Sequence, residues 1–392
     1  MDLAIYREQI PALDNAIYLN TGTFGPSPVP VIDAIRHALD LIERHGPYSP
    51  VVRESIERQC YEHTRAEAAL LLGASLDEIV LTRSASDGTN IIAFGLDWRP
   101  GDEVVIGNEE HQSGMLPWFI LAQRAGIRVR VATLDPDPAV TLQNIDDCLT
   151  AKTRLIFFSH VSCVSGIRAP VADICALAHD RGILAVIDGA HALGQFPVKM
   201  DEIGCDAYVG CGHKWLLGPQ GTSLAYIARR ALETFQPSWI GWGAQVEGSI
   251  NLAEQSYTLH DSARRFEFGT KQWPLFTGLG AAMRFITNIG PEAIEARVQP
   301  LATRLKLALD QVNRWERLTP LDPELSSGIV TIRLGPGFGR PTPENIKDVL
   351  WERHRLLVAY FAPYRTLRLS VAFFTTTDEL DRAIAGLRDL GV

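Results

Sequence analysis

Short apolar runs alternate with helix-forming stretches over residues 77–227, and this alternation limits the folds open to the chain. The runs are rich in Val, Ile and Leu and have the length of strands, whereas stretches such as residues 171–182 have a helical pattern. Because a strand that is apolar throughout must be covered on both faces, the alternation predicts a mostly parallel sheet between layers of helices. The seven predicted strands are residues 78–82, 102–107, 128–133, 154–159, 183–188, 206–210 and 222–227.

Two further regions have different patterns. Residues 236–274 are rich in Gly, Trp and polar residues, which indicates an active-site loop region rather than core. Beyond them, helical stretches near 297–314 and 343–353 and strand-like runs at 328–334 and 365–371 follow one another. The chain is therefore predicted to combine a large α/β domain with a smaller α+β unit.

The composition excludes several classes of protein. The net charge is −9 and both signs are mixed along the 392 residues, so we expect neither nucleic acid nor an anionic membrane as a partner. No apolar stretch reaches the ~18 residues that a membrane helix requires, and the N-terminus has no signal-peptide pattern. None of the six cysteines forms a C-x-x-C pair, so we expect reduced thiols and a cytoplasmic location. We assign no metal site.

Polar residues follow several predicted strands, at the sheet edge where α/β proteins bind ligands. Residues 83–90 (RSASDGTN) could hold a phosphate on backbone N–H groups at a helix start, although an ordinary helix cap is the simpler explanation. His111 follows the strand at 102–107, where a histidine is commonly structural. Asp188 closes the strand at 183–188; a buried carboxylate is costly unless paired, but a helix cap would also account for it.

A lysine lies just beyond the next predicted strand. Lys214 stands between residues 206–210 and the turn GPQG at 218–221. A partly desolvated position would free its amine for carbonyl chemistry, whereas a surface lysine is the plainer alternative. A strand-terminal Asp followed by such a Lys suits pyridoxal phosphate, which needs a carboxylate at its pyridine nitrogen and an amine for a Schiff base.

Three segments of this region carry a family resemblance: SHVSCVSGIRAPV (159–171), ILAVIDGAHALGQ (183–195) and DAYVGCGHKWLLGPQGTSLAYI (206–227). They resemble the class V aminotransferases, which include cysteine desulfurases, cystine C–S lyases and isopenicillin N epimerases. The likeness extends from YLNTGTFGP (18–26) to residue 384. FGLDWRPGDEVVI and HGPYSP are most similar to the cystine C–S lyases, and DGAHALG is most similar to the epimerases.

The resemblance implies an α/β fold of the type I pyridoxal-phosphate enzymes. Residues 21–274 would form the large cofactor-binding domain with the seven-stranded sheet, and residues 1–20 and 275–392 would form the small α+β domain. Thr270 would reach the phosphate bound by the neighbouring subunit, so the active unit would be a homodimer with shared sites.

The resemblance also implies roles for individual residues. Lys214 would form the Schiff base, Asp188 would keep the pyridine nitrogen protonated, and His111 would stack on the ring. Arg368 would hold the carboxylate of an amino-acid substrate, since a guanidinium binds a planar carboxylate through two hydrogen bonds. The phosphate would be bound by Ser86, together with the backbone of Ala85–Asp87, and by His213.

Three residues depart from the family pattern. His191 replaces a common Gln that faces the 3-oxygen of the cofactor, Cys211 replaces a Ser or Thr near the phosphate, and Cys163 replaces an Asn. His191 and Cys211 are still expected to contact the cofactor. Persulfide-forming desulfurases carry a catalytic Cys in the loop before the substrate arginine, but here the predicted loop, LLVAYFAPYRT (356–366), contains none.

The expected reaction follows from the resemblance. The enzyme would act at Cα of an amino acid through a Schiff base and a carbanion, with C–S β-elimination of cysteine, cystine or a related thio-amino acid as the favoured outcome. Epimerisation and transamination begin with the same proton loss and stay open as alternatives. A non-catalytic binding or regulatory protein with this fold is an alternative of another class.

Overall fold

The computed structural model describes residues 2–312, 314–335 and 345–390. A π-helical turn, Arg53–Cys60, joins α3 to α4, and the other helical elements are short 3-10 turns. The α-helices are α1 (Leu3–Glu8), α2 (Val29–His45), α3 (Pro50–Val52), α4 (Tyr61–Leu72), α5 (Ala85–Phe94), α6 (Gln112–Ala125), α7 (Pro138–Asp146), α8 (Val171–Asp180), α9 (Met200–Ile203), α10 (Trp273–Ile289), α11 (Pro291–Asp310), α12 (Ile346–His354) and α13 (Thr377–Arg388). The strands are β1 (Ile17–Tyr18), β2 (Ile79–Thr82), β3 (Glu103–Gly107), β4 (Arg128–Ala132), β5 (Thr153–Ser159), β6 (Leu184–Asp188), β7 (Ala207–Val209), β8 (Ser223–Ile227), β9 (Trp315–Arg317), β10 (Ile329–Leu334), β11 (Leu356–Leu357), β12 (Ala359–Phe361) and β13 (Thr366–Ser370).

A seven-stranded sheet with the order β2-β8-β7-β6-β5-β3-β4 forms the centre of the large part. Its strands correspond to the seven apolar runs, so the prediction of a mostly parallel seven-stranded sheet is confirmed. Only β8 runs against its neighbours: it is antiparallel to both β2 and β7, and the remaining pairs are parallel. The carboxyl ends of the parallel strands therefore meet at one edge of the sheet, which is the edge where such sheets bind ligands.

A hairpin between β7 and β8 carries Lys214. The ladder continues past the strands, because Gly210 N–H donates to the Leu224 carbonyl at 2.8 Å and Gly212 N–H donates to the Thr222 carbonyl at 3.1 Å. Gly218 N–H closes the turn by donating to the Gly212 carbonyl at 2.8 Å. A Cβ at Gly212 would come within 2.5 Å of the Thr222 carbonyl oxygen, so this close approach requires glycine.

The C-terminal part forms a second sheet and a second core. Its antiparallel order is β12-β13-β10-β9, and the short strand β1 from the N-terminus pairs with β11. Leu19 packs in the same buried cluster as Leu305 and Leu369, so the two chain ends share a core, as the predicted small α+β unit requires. The division at residues 20 and 274 stays a prediction, and α10, just beyond it, packs on α2 and α4.

Two details differ from the sequence predictions. Residues 356–366 are largely ordered structure, since they form β11, β12 and a 3-10 turn before β13; the alternating apolar residues pack on the second core. The helix predicted near 343–353 begins at Ile346, and residues 343–344 lie outside the described residues. Within the described ranges, no helix has the length and apolarity to cross a bilayer.

Candidate active site

A cavity of about 270 Å³ lies at the carboxyl edge of the large sheet, where the small sheet meets it. Segments that follow five of the large sheet's strands contribute to its wall, and β12 and β13 contribute from the other side. The cavity brings together every predicted site residue except Asp87 and Thr270. These residues are Ala85, Ser86, His111, Asp188, His191, Cys211, His213, Lys214 and Arg368.

Asp188 is the last residue of β6 and is buried at the cavity wall. Its Oδ1 accepts a hydrogen bond from Ala190 N–H at 2.8 Å. Burial raises the pKa of Asp188, while this hydrogen bond and the positive charge of Lys214 act in the opposite direction. A buried carboxylate with so little compensation favours a cationic partner, and a protonated pyridine nitrogen would be one.

Lys214 and two aromatic side chains form a chain of close contacts. Lys214 is half-buried, and its Nζ lies 2.9 Å from His191 Nε2. The other ring nitrogen of His191, Nδ1, accepts from the Trp215 indole N–H at 3.4 Å. Burial, aided by the positive charge of Lys214, holds the pKa of His191 well below its ordinary value. The lysine amine therefore faces a neutral imidazole rather than a carboxylate.

The start of α5 forms the opposite wall of the cavity. Ser84 caps this helix, and its Oγ accepts from Asp87 N–H at 3.1 Å. The Asp87 carboxylate pairs with Arg83 at 2.9 Å. Ala85 and Ser86 line the cavity and Asp87 lies just behind them; its predicted backbone contact with a phosphate stays a prediction. The N-terminus of a ten-residue helix thus points its backbone N–H groups at the cavity.

His213 lies near the same wall. Its ring packs against Phe24 with 5.2 Å between the ring centroids, and its Nδ1 lies 3.4 Å from Cys211 Sγ. Burial and the nearby Lys214 lower the pKa of His213 to about 4, so its imidazole is neutral at pH 7. A neutral imidazole offers one N–H, which could bind a phosphate oxygen.

Arg368 lies in the middle of β13, and its side chain is only slightly exposed. Its Nη2 donates to Thr23 Oγ1 at 2.9 Å, and its Nη1 donates to the Cys163 carbonyl at 3.1 Å. Its Nε is buried and has no hydrogen-bond partner among the described residues. Burial lowers the pKa of Arg368 to about 10, which still leaves the group charged at pH 7. A substrate carboxylate would satisfy the unused donor.

The sequence analysis missed several residues of this site. Thr23 and Phe24 lie in the segment NTGTFGP, which gives no local indication that it reaches β13. Phe361 covers the guanidinium of Arg368, with 4.8 Å between the ring centroid and the guanidinium carbon. Glu110 lies behind the cavity and accepts from Ser159 N–H at 2.8 Å and Ser159 Oγ at 2.6 Å. Burial raises the pKa of Glu110 to about 8.

Thr270 lies in a separate recess together with Asp87 and Lys271. Thr270 is exposed, but Glu267 in the same segment is buried in a network with Arg65. The loop region predicted at 236–274 does not line the cavity of its own chain in the part that the structure describes. Much of it runs over the surface with isolated bridges and a 3-10 turn, whereas Ala263 and Phe266 pack into the main core.

Comparisons with known proteins agree with this geometry. The family model "Aminotransferase class-V" matches residues 17–382. A cysteine desulfurase from Escherichia coli is 31% identical over 387 residues, which cover 95% of this chain and 92% of the relative. The solved complex of the cystine C–S lyase C-DES with its reaction product cysteine persulfide has a TM-score of 0.90 and 26% identity, covering 98% of this chain and 100% of that one. A C-DES lysine-to-alanine mutant with glycine covalently linked to the PLP cofactor gives the same TM-score, 0.90, and the same identity, 26%, over 98% of this chain and 99% of that one.

Proposed function

Because the chain belongs to the class V aminotransferase family, we propose that it is a pyridoxal-phosphate-dependent enzyme that breaks the C–S bond of cysteine, cystine or a related thio-amino acid by β-elimination. The observation that carries the proposal is the cavity, which combines a half-buried amine, a buried carboxylate and a charged guanidinium with an unused donor. A protein that binds only a neutral ligand would not require an amine, a carboxylate and a guanidinium in one cavity.

The cavity fits the cofactor of this family. Pyridoxal 5'-phosphate, when bound, supplies an electron sink for negative charge at Cα of an amino acid. In our proposal Lys214 holds it covalently, and Asp188 contacts its pyridine nitrogen, which gives the buried carboxylate its cationic partner. His111 lies against the ring, while the N-terminus of α5 and His213 bind the phosphate. His191 and Cys211 complete the surrounding wall.

The substrate is held from the small sheet. Arg368 binds the carboxylate through its unused Nε and a neighbouring Nη, and this fixes the direction of the Cα–H bond. Lys214 is the one amine that lines this cavity in the described part of the chain, so we assign to it the removal of the Cα proton. Phe361 covers the guanidinium and excludes water from this ion pair.

The sulfur chemistry proceeds without a protein thiolate. Phe361, not a cysteine, reaches the cavity from the stretch 356–366. Cys163 and Cys211 border the cavity, but burial raises the pKa of Cys163 to about 11 and also raises the pKa of Cys211. Both are therefore thiols at pH 7 and are poor nucleophiles. The sulfur atom leaves together with the group that is bonded to it. Cystine and water therefore give cysteine persulfide, pyruvate and ammonia.

The direct test measures the carbon product. The purified protein, loaded with pyridoxal 5'-phosphate, is incubated with cystine, cysteine and a thioether, and pyruvate and alanine are quantified. We expect pyruvate in excess of alanine. Alanine as the main product would contradict the proposal, and loss of Cα stereochemistry without pyruvate would favour an epimerase instead, an alternative that the similar proteins do not support. A visible spectrum that no amino acid changes would favour a non-catalytic protein.

The lysine assignment is tested separately. Borohydride reduction followed by peptide mass spectrometry should place the cofactor on Lys214, and Lys214→Ala should abolish the adduct. Lys199→Ala is the matched control, since Lys199 Nζ donates to the Leu71 carbonyl at 3.5 Å and Lys199 is not among the residues that line the cavity. An adduct that persists on another lysine in Lys214→Ala would refute the assignment.

We also propose a homodimer with shared sites in the cytoplasm. Thr270 is exposed outside the cavity of its own chain, where a second copy could use it. Trp239, Trp242 and Leu252 leave 71%, 63% and 87% of their surface exposed, which is a large apolar area for one segment. Sedimentation velocity should give a dimer, and a monomer with full activity would contradict this. The six cysteines are free, as a reducing compartment would keep them.

A further inference from the structure

The side chains around His191 fix the position of its proton. We propose that Trp215 is a positioning residue: its indole N–H holds His191 in the tautomer that carries the proton on Nε2, so that His191 offers an N–H donor to the nitrogen of Lys214. The use of this donor in catalysis rests on the proposed function. The tautomer itself is a property of the protein that is measured without turnover.

Both nitrogens of the His191 ring have one close nitrogen neighbour. Nδ1 lies 3.4 Å from Trp215 Nε1, and Nε2 lies 2.9 Å from Lys214 Nζ. His191 is 4% exposed and Trp215 is 3% exposed, so the contact between the two rings is shielded from bulk water, whereas His191 and Lys214 both line the cavity. Among the described residues, these two side chains are the hydrogen-bond partners of the ring.

His191 carries a single proton near pH 7. Burial is the main cause that lowers its pKa well below the ordinary value, and the positive charges of Lys214 and Arg368 act in the same direction. A neutral imidazole has one N–H donor and one unprotonated acceptor nitrogen. The remaining question is which nitrogen carries the proton.

The chemistry of tryptophan decides this question. An indole N–H donates and cannot accept, so the nitrogen that faces it must be unprotonated. The proton of His191 is therefore on Nε2 and points at Lys214. A lone pair on the Lys214 nitrogen can accept this N–H, and a nitrogen with a lone pair is the form that attacks a carbonyl.

The backbone holds both rings in these positions. Trp215 follows Lys214 in the β7–β8 hairpin, and a Cβ at Gly194 would come within 2.5 Å of the Trp215 carbonyl oxygen. The Gln195 side-chain amide donates to the carbonyl of His191, and its Oε1 accepts from Gly328 N–H at 2.8 Å. The imidazole and the indole are thereby fixed from two separate connections of the large sheet.

Solid-state nitrogen-15 NMR of the cofactor-loaded protein, labelled only at its ten histidines, reads the tautomer directly. The two ring-nitrogen signals of His191 are identified as those that disappear from the spectrum of His191→Asn. We expect an unprotonated Nδ1 and a protonated Nε2 for His191 at pH 7.5. Trp215→Phe should shift the proton to Nδ1 or give a mixture. Trp315→Phe is the matched control, because Trp315 donates to the Leu309 carbonyl at 2.9 Å and should leave His191 unchanged.

A second readout follows the capture of cofactor by cofactor-free protein. Without the indole donor, Trp215→Phe should capture pyridoxal phosphate about fivefold more slowly at pH 7.5, which corresponds to one hydrogen bond of about 1 kcal/mol. Benzothienylalanine at position 215 keeps the ring shape but replaces the N–H by sulfur, so it separates the donor from packing. It should reproduce the change seen in Trp215→Phe.

Two results would overturn the inference: an unprotonated Nε2 in the unmodified protein, or an unchanged His191 spectrum after loss of the indole N–H. Neither depends on turnover. Failure of the C–S lyase assay with the expected tautomer present would refute the proposed function and leave this inference intact.

Discussion

Glu267→Gln should destabilise the protein by an amount set by one buried ion pair. The Glu267 carboxylate accepts from Arg65 Nη1 at 2.7 Å and Nη2 at 3.1 Å, from the Tyr61 hydroxyl at 2.8 Å and from Leu81 N–H at 2.8 Å. Glutamine keeps the shape of the side chain but removes its charge. Arg65 is buried as well, so its guanidinium would lose its buried charge partner without gaining water and would keep only the partly exposed Glu62 carboxylate, 3.1 Å from its Nε, among the described residues.

The expected cost is about 3–5 kcal/mol of unfolding free energy, the range for a buried pair that loses one partner. The midpoint of urea denaturation, followed by tryptophan fluorescence, measures the loss. Glu316→Gln is the matched control: Glu316 pairs with Arg333 at 2.7 Å, but the two side chains are 64% and 50% exposed. Because water screens such a pair, the control should lose less than about 1 kcal/mol.

The stability difference should also depend on pH. Burial alone would raise the pKa of Glu267, but the charge and hydrogen bonds of Arg65 outweigh it and the pKa is lowered from 4.5. The stabilisation is therefore complete above pH 4.5 and is lost progressively as the pH falls below it. A loss below about 1 kcal/mol at pH 7, or a difference that stays constant down to pH 3, would refute this reasoning.

Four further outcomes are expected. Asp188→Ala should lower Cα–H exchange with solvent by orders of magnitude, measured by deuterium incorporation, because the buried charge is lost, whereas Asp188→Asn should retain cofactor; near-normal exchange in the alanine variant would contradict this role. A variant without cysteines should still release pyruvate from cystine, although loss of Cys163 and Cys211 should alter cofactor affinity; loss of turnover that maps to one persulfide-bearing cysteine would contradict it. Thr270→Ala should weaken cofactor binding, measured by equilibrium dialysis. In a mixed dimer of one Thr270→Ala subunit and one Lys214→Ala subunit, one site should bind normally, because it combines the intact Lys214 of the first subunit with the intact Thr270 of the second. Unchanged affinity in Thr270→Ala would contradict the shared site. Burial raises the pKa of Glu110 from 4.5 to about 8, so the native state holds this proton more tightly than the unfolded chain and stability falls as the pH rises through that interval. Glu110→Gln should therefore gain stability relative to the unmodified protein between pH 5 and pH 8 in thermal denaturation, and a constant difference would contradict the assignment.

The sequence predicts those parts of the fold that local patterns determine. All seven strands of the large sheet are apolar runs of strand length, and the residues that follow them, such as Asp188 and Lys214, meet at the cavity because parallel strands end together. The reversed direction of β8 has no local signal, since it depends on pairing with β2, which lies far away in sequence. The predicted role of Arg368, binding the substrate carboxylate, came from the family resemblance, because no local pattern indicates it.

Contacts between distant segments could not be predicted. Thr23 reaches Arg368 across 345 positions of the chain, and Phe361 covers the same guanidinium only because β12 pairs with β13. The family resemblance supplied the predicted backbone contact of Asp87 with the phosphate. The sequence did not indicate that Ser84 Oγ accepts from Asp87 N–H or that the Asp87 carboxylate pairs with Arg83, because such contacts depend on the local backbone geometry of the helix cap.

The hairpin that carries Lys214 anchors one side of the cavity to the large sheet. Since β8 returns beside β7, both ends of the lysine's turn are held by the same sheet, and Gly218 ties the turn back to Gly212. Arg368 and Phe361 instead belong to the small sheet. The position of the small sheet against the large one therefore sets the distance between the Lys214 backbone and the carboxylate clamp, and only the torsions of the lysine side chain adjust the amine within that frame. A cross-link between the sheets would fix the backbone distance at one value.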